Sequence, residues 1–220
     1  GTYRQERWRR NSDEEPCPDA TRAGANPPMA PALSALTAVS GGRAAFRVHR
    51  VQCHGAGAAG VQGLYPNLND DDWLWGGTLD QILQTVEFGV RSGHAKAREG
   101  SMMPFGGKDA LLKKDEIRTV ANFVRSLSGL SVAAGIDIEA GRKLFGTNCA
   151  SCHGDDGKGK QDVGAPNLAD KIWLYGSDEA AIIDTITNGR GGVMPAWNER
   201  LDPITIKALT IYVYSLSGGK

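Results

Sequence analysis

Apolar side chains recur at helical spacing in several stretches of the chain. "DIEAGRKLFGTN" (137–148) places Ile138, Leu144 and Phe145 on roughly one face. "DEAAIIDTITNG" (178–189) carries acids in its first turn and stops at Gly189, the residue type that ends helices in the left-handed conformation. "DPITIKALTIYVYSLSG" (202–218) begins with Asp202 as an N-cap and Pro203 at the first helical position. Similar patterns cover 80–89 and 115–128, and Gly- and Pro-containing loops lie between. No run alternates as a strand would, so the expected class is all-α. No run of 18 apolar residues exists either. The nearest, "MAPALSALTAV" (29–39), is short and interrupted by Pro31.

The pattern is also doubled. "YPNLNDDDWLWGG" (65–77) matches "APNLADKIWLYGS" (165–177), Gly89 matches Gly189, and "VRSLSG" (124–129) matches "VYSLSG" (213–218). "GRAAF" (42–46) matches "GRKLF" (141–145), and Met103-Pro104 matches Met194-Pro195 if the first copy has extra residues before it. Trp73 and Trp75 repeat as Trp173 and Tyr175, and Phe105 lies near the place of Trp197. Two copies predict a tandem pair of domains, 41–130 and 131–220, with a boundary near "GLSVAAG" (129–135). Each copy has about three helices and long loops, a thin core that a prosthetic group would fill.

Composition narrows the function. The 220 residues balance 25 basic against 25 acidic groups, so charge draws the chain to neither nucleic acid nor an anionic surface. Residues 1–40 form an atypical N-terminal segment, Arg-, Pro- and Ala-rich with an unexplained Cys17, and read as disordered composition. With no signal-peptide pattern and Gly as first residue, the chain is expected to be processed or truncated.

Three of the four cysteines lie in two Cys-His segments. "CASCH" (149–153) is a complete C-x-x-C-H: Cys149 and Cys152 would bond a haem covalently and His153 would bind its iron. A zinc site would want two more ligands of this kind, and the only other Cys-His cluster is Cys53-His54. There the same motif lacks its first cysteine, whose place Arg50 holds. The expected cofactors are two haem c, the first attached at Cys53 alone if Arg50 is genuine, with His54 on its iron. Met103 and Met194 are the expected opposite ligands. Met102 competes with Met103, and His94 is a weaker rival. The carbonyls of Pro66 and Pro166, in the repeated "PNL", are placed to accept a bond from the ligand His rings. No catalytic residue is expected, because a Met on each iron suits electron transfer.

Taken together, "GVQGLYPNLNDDDWLWGGTLDQI", "CASCHGDDGKG" and the paired "SLSG" ends resemble the di-haem subunit of cbb-type cytochrome c oxidases, also called FixP or CcoP, over residues 41–218. The resemblance implies two tandem class I cytochrome c domains, each wrapped around a c-type haem, on the periplasmic side of a bacterial inner membrane. It implies a cytochrome c or bc-type donor, and the catalytic and mono-haem oxidase subunits as partners. It also implies a transmembrane anchor that residues 1–40 do not show, so membrane association falls to partners or to a missing anchor. Two explanations of Arg50 stand open: a sequence fault upstream of Val51, which would also explain the odd N-terminus, or a true single-thioether haem. A haem-free first domain is a third. The functional alternatives are a free periplasmic di-haem shuttle and a di-haem peroxidase.

Overall fold

A computed structural model describes residues 35–216. They form eight helices, joined by loops that contain only isolated bridges and no strands. α1 (Ala35–His49), the single turn α2 (Val51–His54), α3 (Leu79–Phe88) and α4 (Lys114–Leu127) come from the first repeat. α5 (Ile138–Asn148), the single turn α6 (Ala150–His153), α7 (Glu179–Asn188) and α8 (Pro203–Leu216) come from the second. None is long and apolar enough to cross a membrane. Residues 1–34 and Cys17 lie outside the described residues.

Helix ends follow local chemistry. The Thr78 hydroxyl accepts from the Gln81 N–H while the Gln81 side chain accepts from the Thr78 N–H, a reciprocal cap that starts α3. Asp137, Asp178 and Asp202 cap α5, α7 and α8 through their carboxylates. α3 and α7 stop at Gly89 and Gly189, both at positive φ (75° and 72°), as expected for Gly189.

Packing departs from the sequence pattern. Two apolar cores exist, but neither is built from one repeat. α8 packs against α1 and α3, whereas α4 packs against α5 and α7. The first core joins Phe46, Ile82 and Val86 to Ile206, Leu209 and Val213. The second joins Phe145, Ile182 and Ile186 to Ile117, Val120, Phe123 and Phe105. The last helix of each repeat therefore closes the other repeat's core. Repeat symmetry permits this, because α4 and α8 present equivalent apolar faces to equivalent partners. Phe46 meets Tyr212 with ring centroids 5.4 Å apart, and Phe145 meets Phe123 at 5.3 Å. The buried Asn122 of α4 ties the exchange down. Its amide donates to Glu179 of α7 (2.9 Å) and its carbonyl accepts from the Ala133 N–H (2.9 Å). Segments 41–130 and 131–220, the expected pair of domains, thus each contribute a helix to the other's core.

Candidate haem sites

Both Cys-His segments fold as a single turn after a longer helix. The Arg50 N–H donates to the Phe46 carbonyl and the Cys149 N–H to the Phe145 carbonyl, both at 2.8 Å. Arg50 thus stands where a cysteine stands in the second copy. The next loop is also duplicated: the Gly60 N–H donates to His54 O and the Gly159 N–H to His153 O, again at 2.8 Å. This loop brings the "PNL" turn under the histidine. Nδ1 of His54 lies 3.0 Å from the Pro66 carbonyl, and Nδ1 of His153 lies 3.1 Å from the Pro166 carbonyl. A carbonyl only accepts, so each Nδ1 carries the proton and each Nε2 keeps a free lone pair.

The electrostatics agree. Burial pushes the pKa of both imidazoles down, against the opposing effect of the proline carbonyl, and at His54 the Arg50 charge pushes in the same direction as burial. Both rings are nearly buried and neutral, the state that binds a metal. Burial, then Cys152, pushes the Cys149 thiol up to about 11. That site favours an uncharged sulfur, as a thioether is.

The methionines are delivered by the exchange. The Val90 and Met194 backbones exchange two hydrogen bonds, both 2.9 Å, and Arg190 and Met102 do the same at 3.0 and 2.9 Å. The glycines at the ends of α3 and α7 permit this approach. A Cβ on Gly89 would lie 2.8 Å from the Pro195 carbonyl carbon, and one on Gly189 would lie 2.9 Å from that of Met103. The Met194 backbone, from the second repeat, is therefore held beside Val90 of the first, while Met102, from the first, packs on the second core.

The pairing leaves two registers. Met102 pairs with Arg190 as Met194 pairs with Val90, whereas Gly106 N–H donates to Thr187 O as Trp197 N–H donates to Glu87 O, which sets Met103 opposite Met194. Met102 packs on the second core, whereas the Met103 side chain is 54% exposed. His94 is otherwise engaged: its Nδ1 accepts from the Lys96 N–H (3.0 Å) and its ring stacks on Phe88 (4.7 Å).

These residues fit a haem. Each unit offers a histidine with its proton on Nδ1, at least one cysteine, and a methionine on the segment that pairs with the end of α3 or α7. In the first unit, Trp73 and Trp197 also hold buried indole N–H groups with no partner, donors suited to carboxylates such as haem carries. Bound there, haem c supplies one-electron exchange at its iron. The protein is, in class, a c-type cytochrome with two cytochrome c units. The cytochrome c family model matches residues 39–128, and the model described as "Cytochrome C oxidase, cbb3-type, subunit III" matches 137–213.

Relatives agree. The chain is 65% identical to the "Cbb3-type cytochrome c oxidase subunit FixP" of Bradyrhizobium diazoefficiens, over 86% of its own length and 64% of the relative's. It is 55% identical to the FixP subunit of Azorhizobium caulinodans, over 81% and 60% of the two lengths. Against the CcoP subunit of Cereibacter sphaeroides it is 49% identical, over 83% and 62%. The chain is similar to the FixP and CcoP subunits of cbb3-type oxidases, and it spans a little under two thirds of the length of these relatives.

Proposed function

We propose that the chain carries electrons through two haem c groups to the catalytic core of a membrane cbb-type oxidase. The reading includes a cytochrome c or bc-type donor, the catalytic and mono-haem subunits as partners, and a place on the periplasmic side of a bacterial inner membrane. The carrying observation is the paired site: in both units a buried His holds its Nδ1 proton on a proline carbonyl, and a methionine-bearing segment of the other repeat pairs with the end of that unit's helix. Cys53, Cys149 and Cys152 are the covalent attachment points. His54 and Met194 form one axial pair, and His153 and Met102 the other, so each pair draws on both repeats. Pro66 and Pro166 hold the imidazoles in the tautomer that leaves Nε2 free, and the apolar cores exclude water, which favours the reduced state.

A peroxidase needs an open or displaceable position on one iron, and a methionine segment brought to each unit speaks against that. A free shuttle would have the same sites, and co-purification with a haem-copper oxidase separates the two readings. The ligand assignment is tested by removing the second haem through Cys149→Ala and Cys152→Ala. In that background Met194→Ala should abolish the sulfur-to-iron charge-transfer band, and Met102→Ala should leave it. In the intact chain, Met102→His should lower one haem's potential while Met103→His leaves both unchanged. Loss of the band through Met103 instead would overturn the assignment.

A further inference from the structure

Arg50 is the residue that neither the motif nor the electron-transfer reading uses. It is 6% exposed, although its side chain carries a full charge. No ion pair among the described residues includes it, and its Nη2 is buried without a hydrogen-bond partner. Its guanidinium lies 4.1 Å from the centre of the Trp197 ring, with the His49 ring edge-on to the same indole at 5.6 Å. Trp197 stands three residues after Met194, on the segment that the second repeat contributes to the first unit. Arg50 itself sits four residues before His54, at the backbone position of Cys149. A buried guanidinium without a carboxylate is costly unless something compensates, and the face of an indole compensates in part.

We propose that Arg50, held on Trp197, is a fixed cation inside the first haem unit that raises the reduction potential of that haem above that of the second. This rests on the reading that a haem binds at His54. The ferric state of a haem iron carries one more positive charge than the ferrous state. A nearby cation shielded from water therefore penalises the ferric state and holds the electron. A unit charge about 10 Å from a redox centre, at an effective dielectric of ~20, shifts the reduction equilibrium by roughly tenfold. Burial lowers the Arg50 pKa only to about 10, so the charge persists at neutral pH. The second unit has Cys149, not a cation, at this position. The first unit is thereby the natural electron-holding site of the pair, set by a residue that also forgoes one thioether.

The experiment is a potentiometric titration of the two-haem protein, with the second haem as internal reference. Arg50→Gln keeps the single thioether and removes the charge. It should lower the first haem's potential, shifting the electron-exchange equilibrium between the haems about tenfold toward the second, whereas Arg50→Lys should retain most of the split. Trp197→Leu, which lets water reach Arg50, should shift the equilibrium in the same direction by less, and it serves if Arg50→Gln fails to load haem. An unchanged or raised first-haem potential in both Arg50→Gln and Trp197→Leu would overturn the proposal. One iron per chain in the parent protein would instead sink the two-haem reading beneath it. That failure shows in the iron count and the pyridine haemochrome spectrum, before any potential is measured.

Discussion

If α8 closes the first core, Phe46 and Tyr212 must stabilise each other although they lie at opposite ends of the described chain. Their rings meet edge to face, with centroids 5.4 Å apart and planes at 60°, and Phe46 is 1% exposed. Pairs of this geometry contribute about 0.5–1.5 kcal/mol beyond the area they bury. A double-mutant cycle of Phe46→Leu and Tyr212→Leu should return a coupling of that size. Leucine keeps most of the buried apolar volume while removing the ring-to-ring contact. A second cycle, Phe46→Leu with Phe123→Leu, should be additive within ~0.3–0.5 kcal/mol, because those residues belong to different cores. The mirror pair, Phe145 and Phe123 at 5.3 Å and 57°, should couple like the first. The assay is urea unfolding of the haem-loaded protein followed by far-ultraviolet circular dichroism, comparing midpoints at constant slope. Coupling of Phe46 to Phe123 with none to Tyr212 would mean that each repeat closes its own core, and the exchanged arrangement would be wrong.

Two neighbouring glycines of α1 should respond in opposite directions to alanine. Gly42→Ala places a Cβ 2.6 Å from the Tyr212 Cβ, well inside the normal ~3.5–4.0 Å carbon contact. Overpacking of about 1–3 kcal/mol should exceed the ~1 kcal/mol gain in helix propensity, whereas Gly41→Ala, with open space around it, should show only the gain; equal shifts in the two midpoints would refute the α1–α8 contact. Asn122→Ala should destabilise by about 2 kcal/mol in the same assay, because it removes both the donor to Glu179 of α7 and the acceptor of the Ala133 N–H, and a neutral result would mean that Asn122 fastens α4 to neither. Asp72 is pushed up to about 6, first by burial and then by Asp170, Asp70 and Asp71. A carboxyl whose folded pKa lies above its unfolded value binds more protons in the folded state, so it costs stability as pH rises from about 4 through 6. Asp72→Asn should accordingly be more stable than the parent at pH 7, with the difference vanishing near pH 4; a constant difference across that range would remove Asp72 as the cause.

Much of the site was legible without coordinates, because its parts are close together in the chain. A C-x-x-C-H, a capped helix and a "PNL" turn are contacts over a few residues, so local spacing dictates them. His153 over Pro166, His54 over Pro66 and the α7 stop at Gly189 all stand where the sequence predicts. What the sequence could not decide were choices between equivalents. α4 and α8 carry the same apolar pattern, so periodicity says that each covers a core but not which one. Met102 and Met103 are adjacent, and only the backbone pairing with Arg190 turns one inward and leaves the other exposed. Arg50 reads as a missing cysteine in one dimension. In three, it is a buried cation resting on an indole from the other repeat. The sequence by itself determined the repeat, the helices and the two Cys-His turns, through short-range geometry. Tertiary structure decided which repeat supplies the closing helix and the methionine, because those depend on contacts across the whole chain that two near-identical halves satisfy in either order.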